Sequence, residues 1–254
     1  MLRFSANLGF LWQELSLPDA IRAAKAAGFD AVECHYPYDV SATAVCEALQ
    51  ETKLTMLGLN TIRGNAEAGD NGLAAVPGRE DEARQASEQA IDYAAATGTL
   101  NVHVMAGKAS GETARAAFVA NLRHACELAA KAGITILIEP LNHHDAPGYF
   151  LQTSEQALEI IAAVGAPNIK LMFDCYHLQI TQGDLTRRLQ KYLNSIGHIQ
   201  IASVPDRREP DHGEIDYRYI FRLLEELGYD RPVGAEYRPA TSTDAGLQWL
   251  KDYR

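Results

Sequence analysis

The chain has 254 residues, 47% hydrophobic and 22% charged, a composition that excludes collagen-like and disordered classes. With 23 basic against 33 acidic residues the formal charge is −10, which repels a nucleic-acid backbone. No run approaches the ~18 apolar residues of a membrane span, and the opening MLRFSANLGF lacks the long apolar core of a signal peptide, so a cytoplasmic protein is expected. In chain order, β-rich runs fall at 2–6, 31–34, 54–59, 101–105, 134–139, 169–174, 198–201 and 233–236. Amphipathic runs separate them. Phe118, Leu122, Cys126 and Ala129 keep helical spacing within 112–131, as do Ile220, Leu223, Leu224 and Leu227 within 217–227. Gly28, Gly98, Gly133, Gly165 and Gly228 follow such runs and suit helix C-termini. Asp184 and Asp216 suit N-caps.

Eight strand–helix units of about 30 residues each fit this length. Repeated strand, helix, glycine, strand predicts a parallel sheet, and eight units close into a (β/α)8 barrel, read as one domain over 1–254. An open doubly wound sheet is the structural alternative. The longest irregular stretch, 60–78, carries Gly64, Gly69, Gly72 and Gly78. A long loop after the third strand reads either as part of a site or as a surface excursion.

Chemistry in such a barrel sits at the C-terminal ends of the strands. The fifth predicted strand ends in Glu139, the sixth in Asp174 and the eighth in Glu236, and the seventh contains Gln200. Their separations are 35, 26 and 36 residues, about one unit each. Three carboxylates on one rim repel one another, and a bound cation relieves that repulsion. All-oxygen ligation favours Mg2+ or Mn2+ over zinc. The four cysteines form no CxxC pair, and the eight histidines form no HExxH. No GxGxxG, P-loop or GxSxG motif follows a strand.

The sequence resembles the hydroxypyruvate isomerase family, a branch of the xylose-isomerase-like barrels beside the D-tagatose 3-epimerases and 2-oxotetronate isomerases. The likeness is carried by RFSANL (3–8), HYPYD (35–39), PGRE (77–80), IEPLNHHDAPGY (138–149), DCYHLQ (174–179), HIQIA (198–202), REPDHGEIDY (208–217) and GAEYRP (234–239). It implies metal ligation by Glu139, Asp174, Gln200 and Glu236. The epimerases have histidine at the position of Gln200. It also implies a catalytic pair, Glu139 and Glu236, and substrate contacts at Asp145, His177 and Arg207. The run ASVPDRREP (202–210) leans toward 2-oxotetronate isomerases, and EPLNHHDAPGY (139–149) toward hydroxypyruvate isomerases.

The implied reaction interconverts hydroxypyruvate and 2-hydroxy-3-oxopropanoate (tartronate semialdehyde) through an enediolate. A divalent cation stabilises the developing charge, and carboxylates move the proton. His177 reads as a donor to a substrate oxygen or as a solvent-facing histidine. Arg207 reads as the substrate-carboxylate fork, with Arg208 and Lys108 as substitutes. Asp145 reads as a hydroxyl acceptor or a turn residue. His103 reads as a core histidine, Trp12 as a pocket wall or packing, and His35, Tyr36 and Tyr38 as rim residues. The partner implied is a small 2-oxo acid, with no nucleic acid and no membrane, and such barrels are commonly homo-oligomers. The alternatives are a four-carbon 2-oxo acid isomerase, a ketose 3-epimerase, an apurinic-site endonuclease, and a non-catalytic sugar-acid binding protein.

Overall fold

The computed structural model describes residues 2–253. Strands and helices alternate along it: β1 (Phe4–Asn7), α1 (Leu17–Ala27), β2 (Ala31–Glu33), α2 (Ala42–Thr52), β3 (Thr55–Met56), β4 (Gly58–Asn60), α3 (Glu80–Thr97), β5 (Asn101–His103) and α4 (Gly111–Lys131). They continue with β6 (Thr135–Ile138), α5 (Ser154–Val164), β7 (Ile169–Asp174), α6 (Cys175–Thr181), α7 (Leu185–Tyr192), β8 (Ile196–Ile201), α8 (Tyr217–Glu226), β9 (Val233–Ala235) and α9 (Gln248–Asp252). Among the described residues the strands form one parallel sheet in the order β3-β2-β1-β9-β8-β7-β6-β5-β4. The run expected at 54–59 is one stave interrupted at Leu57. Its lower half, β3, pairs with β2, and its upper half, β4, pairs with β5. Leu57 N donates to Val32 O at 2.7 Å and Cys34 N to Gly58 O at 3.0 Å, which keeps both halves against β2. The result is the eight-stave TIM barrel expected from the repeat. No described helix is long and apolar enough to cross a membrane.

Strand alternation decides what faces the barrel interior. On β1, Phe4 turns outward, its ring 5.2 Å from Phe221 and 5.3 Å from Trp249. Its neighbours Ser5 and Asn7 turn inward to Glu33 and Glu236. The outward face supplies the apolar core between sheet and helices. The inward face of β1, β2, β8 and β9 is largely polar, which is where a site can form.

Helix ends follow the predicted chemistry with one exception. Gly28, Gly98 and Gly165 take the left-handed conformation at the C-termini of α1, α3 and α5. The Asp216 side chain accepts from Arg218 N and Tyr219 N at the start of α8. Asp184 does not cap α7: it lies at φ 50° with no capping bond, and its carboxylate pairs with Arg187 at 3.2 Å. Asp216→Ala should therefore cost about 1 kcal/mol, or ~2–4 °C in Tm. Asp184→Asn, which keeps a side chain tolerated in the left-handed region, should leave the thermal midpoint within about 2 °C of wild type in the same melt.

Candidate active site

The four strand-end residues converge on the C-terminal mouth of the barrel. Glu139 follows β6, Asp174 closes β7, Gln200 lies in β8 and Glu236 follows β9, and each is buried. Glu139 and Glu236 line a cavity of about 850 Å3, and Asp174 and Gln200 are not among its lining residues. Three of their oxygens, Glu139 Oε1, Asp174 Oδ2 and Gln200 Oε1, are buried without a hydrogen-bond partner. Buried polar atoms are rarely left so, and each one costs about 1–3 kcal/mol.

Glu236 differs from the other two carboxyls. Its Oε1 accepts from Asn7 Nδ2 at 3.0 Å and faces His35 Nε2 at 2.9 Å. Its Oε2 accepts from Arg207 Nη2 at 2.9 Å. Burial alone would raise its pKa, but the Arg207 charge and the His35 bond outweigh burial and hold it well below the carboxylate range. Burial, then repulsion from Glu236, pushes Asp174 up to about 8. The same causes, with Asp174 added, raise Glu139 well above its ordinary value. One guanidinium thus serves three buried carboxyls and is committed mainly to Glu236.

Arg207 is firmly placed. Its Cζ lies 4.9 Å from the Phe10 ring and 5.0 Å from the Tyr176 ring. Arg207 N donates to Ser203 O, and its own carbonyl accepts from Arg238 N. Its backbone is left-handed at φ 54°, a strain of about 1–3 kcal/mol of the kind found at functional sites. Its Nε is buried without a partner, so the fork retains a spare donor. Asp145 Oδ2 lies 3.5 Å from Nη1.

His177 is buried on α6 and is not a solvent-facing loop residue. Its Nδ1 accepts from Asn142 N at 3.1 Å and Asn142 Nδ2 at 2.8 Å. Burial, with the Arg207 charge, holds its pKa well below the ordinary value. A neutral ring whose Nδ1 accepts carries its proton on Nε2. That nitrogen lies 3.7 Å from Asp174 Oδ2 and 3.9 Å from Glu139 Oε1. One atom each of Glu139, Asp174 and His177 falls within 4.8 Å of the others, so the three could hold a metal ion. The Asn142 bonds make His177 a donor in that group, and the carboxyls supply its lone pairs.

Other expectations divide. Lys108 lines the cavity but is exposed at its mouth. Arg208 is exposed and pairs with Asp206 at 3.7 Å. Arg208→Ala should leave KM within about twofold of wild type in a steady-state assay, since surface pairs contribute ~0–1 kcal/mol. Trp12 is buried on the cavity wall and donates to Asp244 at 3.0 Å. Tyr36 lines the cavity, whereas Tyr38 turns away to the Asn60 carbonyl and the Tyr93 ring. The 60–78 stretch contributes Asn60, Arg63, Asp70 and Asn71 to the wall and is pinned by Asp70–Arg79 at 2.7 Å.

Two residues were not expected here, His103 and Asn7, and a third, His35, was expected only at the rim. His103 lines the cavity with Nδ1 3.5 Å from Glu139 Oε2 and Nε2 unpartnered, so it is not a satisfied core histidine. Burial pushes it down to about 4. Asn7 and His35 both support Glu236. Gly9 makes room for His35, because a Cβ there would lie 2.2 Å from the ring.

A family model described as xylose isomerase-like TIM barrel matches residues 21–253. The chain belongs to this family. It is 45% identical to the 2-oxo-tetronate isomerase of Cupriavidus necator, over 100% of this chain and 99% of that protein. It is 42% identical to the hydroxypyruvate isomerase of Escherichia coli over 100% of both. Its full-length relatives of this kind are isomerases by name. Among solved structures, one titled as a family 2 AP endonuclease from Brucella melitensis matches with TM-score 0.96 at 41% identity over all of both chains. The apo 3-keto-D-glucoside 4-epimerase of E. coli matches at TM-score 0.82 and 22% identity over 99% of both, a likeness of fold alone.

Proposed function

We propose that this xylose isomerase-like barrel is a divalent-metal-dependent isomerase interconverting hydroxypyruvate and 2-hydroxy-3-oxopropanoate. The observation that carries this reading is the set of three unpartnered buried oxygens, on Glu139, Asp174 and Gln200, beside the carboxylate of Glu236. That donor set is all oxygen and suits Mg2+ or Mn2+. Glu139, Asp174, Gln200 and Glu236 would hold the ion. When bound, it polarises the substrate carbonyl and hydroxyl and stabilises the charge that develops as a proton leaves carbon.

The protein's own groups divide the remaining work. Glu236, held ionised by Arg207, takes the proton from carbon. Glu139 returns one to the neighbouring carbon, and the substrate's hydroxyl proton passes to the former carbonyl oxygen. His177 Nε2–H donates to a substrate oxygen. Arg207 grips the substrate carboxylate through the donors Glu236 leaves free, and Asp145 accepts a substrate hydroxyl. Lys108 draws the anionic acid toward the mouth.

The second reading is the four-carbon acid 2-oxo-tetronate. It is favoured by the 45% identity to the Cupriavidus enzyme and by a cavity of about 850 Å3, ample for one more carbon. A DNA substrate is disfavoured by the charge of −10. The decisive test is an isomerisation assay on both acids with Mn2+, after chelation, and after adding Mn2+ back. We expect turnover that falls at least 100-fold on chelation and recovers with the metal. Turnover indifferent to chelation would overturn the metal assignment, and turnover of neither acid would overturn the substrate assignment. Anomalous scattering from Mn2+-soaked crystals should place the ion ~2.0–2.6 Å from the four residues' oxygens.

A further inference from the structure

Behind Gln200 lies a second polar cluster, of which Gln200 alone belongs to the proposed metal site. Glu33, at the end of β2, is buried inside the barrel. Its Oε2 accepts from Gln200 Nε2 at 3.0 Å and faces His198 Nε2 at 3.0 Å. Its Oε1 accepts from Ser5 Oγ at 3.2 Å. Space for it comes from Gly234, where a Cβ would fall 2.1 Å from Glu33 Oε1 and 2.7 Å from His198 Nε2. A buried carboxylate costs several kcal/mol unless fully bonded, so four residues of three other strands are committed to keeping this one.

Its effect falls on Gln200. An amide has a donor end and an acceptor end, and its neighbours decide which way it turns. With the donor end on Glu33, the acceptor end points away from Glu33. It is there that Gln200 Oε1 is left buried and unpartnered. The reversed amide would set oxygen against oxygen at the 3.0 Å contact with Glu33 and offer the metal an NH2, which carries no available lone pair.

We infer that Glu33 is a positioning residue: bonded to Gln200, it fixes the amide so that oxygen alone faces the metal. The inference rests on the metal-dependent reading above. It explains how a glutamine, a weak and reversible ligand type, serves at a place where neither end of the side chain is otherwise distinguished.

The test is Mn2+ titration of the metal-free full-length chain by calorimetry or electron paramagnetic resonance, in wild type, Glu33→Gln, Gln200→Leu and the double variant. Glu33→Gln should weaken Mn2+ binding about 10–100-fold, as losing the partner of a ligand typically does. In the Gln200→Leu background the same change should cost less than about twofold, because the residue acts through Gln200. Glu33→Asp, which withdraws the carboxylate by one methylene, should fall between wild type and Glu33→Gln, and it serves if Glu33→Gln does not fold. Equal losses in both backgrounds would overturn the inference, as would wild-type affinity in Glu33→Gln and Glu33→Asp. A wild type that binds no Mn2+ would overturn the metal reading and this inference together.

Discussion

Glu236→Gln is expected to lower kcat for hydroxypyruvate by 10²–10⁴-fold, the usual cost of losing a general base. The substitution preserves volume and one ligating oxygen but removes the proton acceptor. It also places an NH2 among groups that already donate, since Asn7 and Arg207 both give hydrogen bonds to this side chain. Tm should nevertheless stay within a few degrees of wild type, because Arg207 keeps Asp174 and Glu139 as counter-charges and losing one of three mutually repelling carboxylates offsets the lost pair. Steady-state kinetics at saturating Mn2+ and a thermal melt check the two halves separately. Retention of more than about half the turnover would show that the proton leaves carbon without Glu236.

Arg207→Ala is expected to have two large effects with different readouts. Losing a charged hydrogen bond to the substrate carboxylate removes about 1.5–3 kcal/mol, so KM for hydroxypyruvate should rise ~10–100-fold. Arg207→Lys keeps the charge but not the two-pronged geometry and should raise KM severalfold. The second effect is on stability. Arg207 Nη2 lies 2.9 Å from Glu236 and 3.8 Å from Asp174, and burial leaves those carboxyls no other fixed cation among the described residues. Breaking such a pair costs about 3–5 kcal/mol, ~10 °C in Tm for a chain this size. Added Mn2+ should recover part of that loss. If Arg207→Ala leaves KM unchanged, the carboxylate is held elsewhere, and Lys108, Arg63 and Arg238 are the other cations along the cavity wall.

The barrel was legible because its period is in the sequence: eight apolar runs, each followed by a helical pattern. Its irregularity was not. Leu57 is as apolar as its neighbours, so nothing local marks the point where one stave changes partners. Glu139, Asp174, Gln200 and Glu236 could be found because each is a polar residue at or near the end of an apolar run. Asn7 obeys the same rule and was missed only because β1 extends one residue past the predicted end. Glu33 was hidden for another reason. Its partners His198 and Gln200 lie 165 and 167 residues away, and no spacing rule reaches that far. His103 was read as core because a lone histidine in a strand usually is. Its unpartnered Nε2 becomes visible only when the cavity is built around it.

The two sides of the barrel are unequal. The groups that would hold metal and move protons follow or lie in four adjacent strands, β6 to β9, while β1 to β5 and their loops contribute wall, from Phe10 and Trp12 to Arg63 and Asp70, and the supports Asn7, Glu33 and His35. Shape and reactivity are therefore encoded in largely separate stretches of chain. A descendant of this sequence could exchange the 60–78 loop and meet a longer or differently charged acid with its proton-transfer pair untouched. The reverse trade is closed, since a change on β6 to β9 disturbs every substrate alike. That asymmetry suits an enzyme whose relatives are named for acids of different length, and it makes the first half of the chain the place to begin when redirecting it.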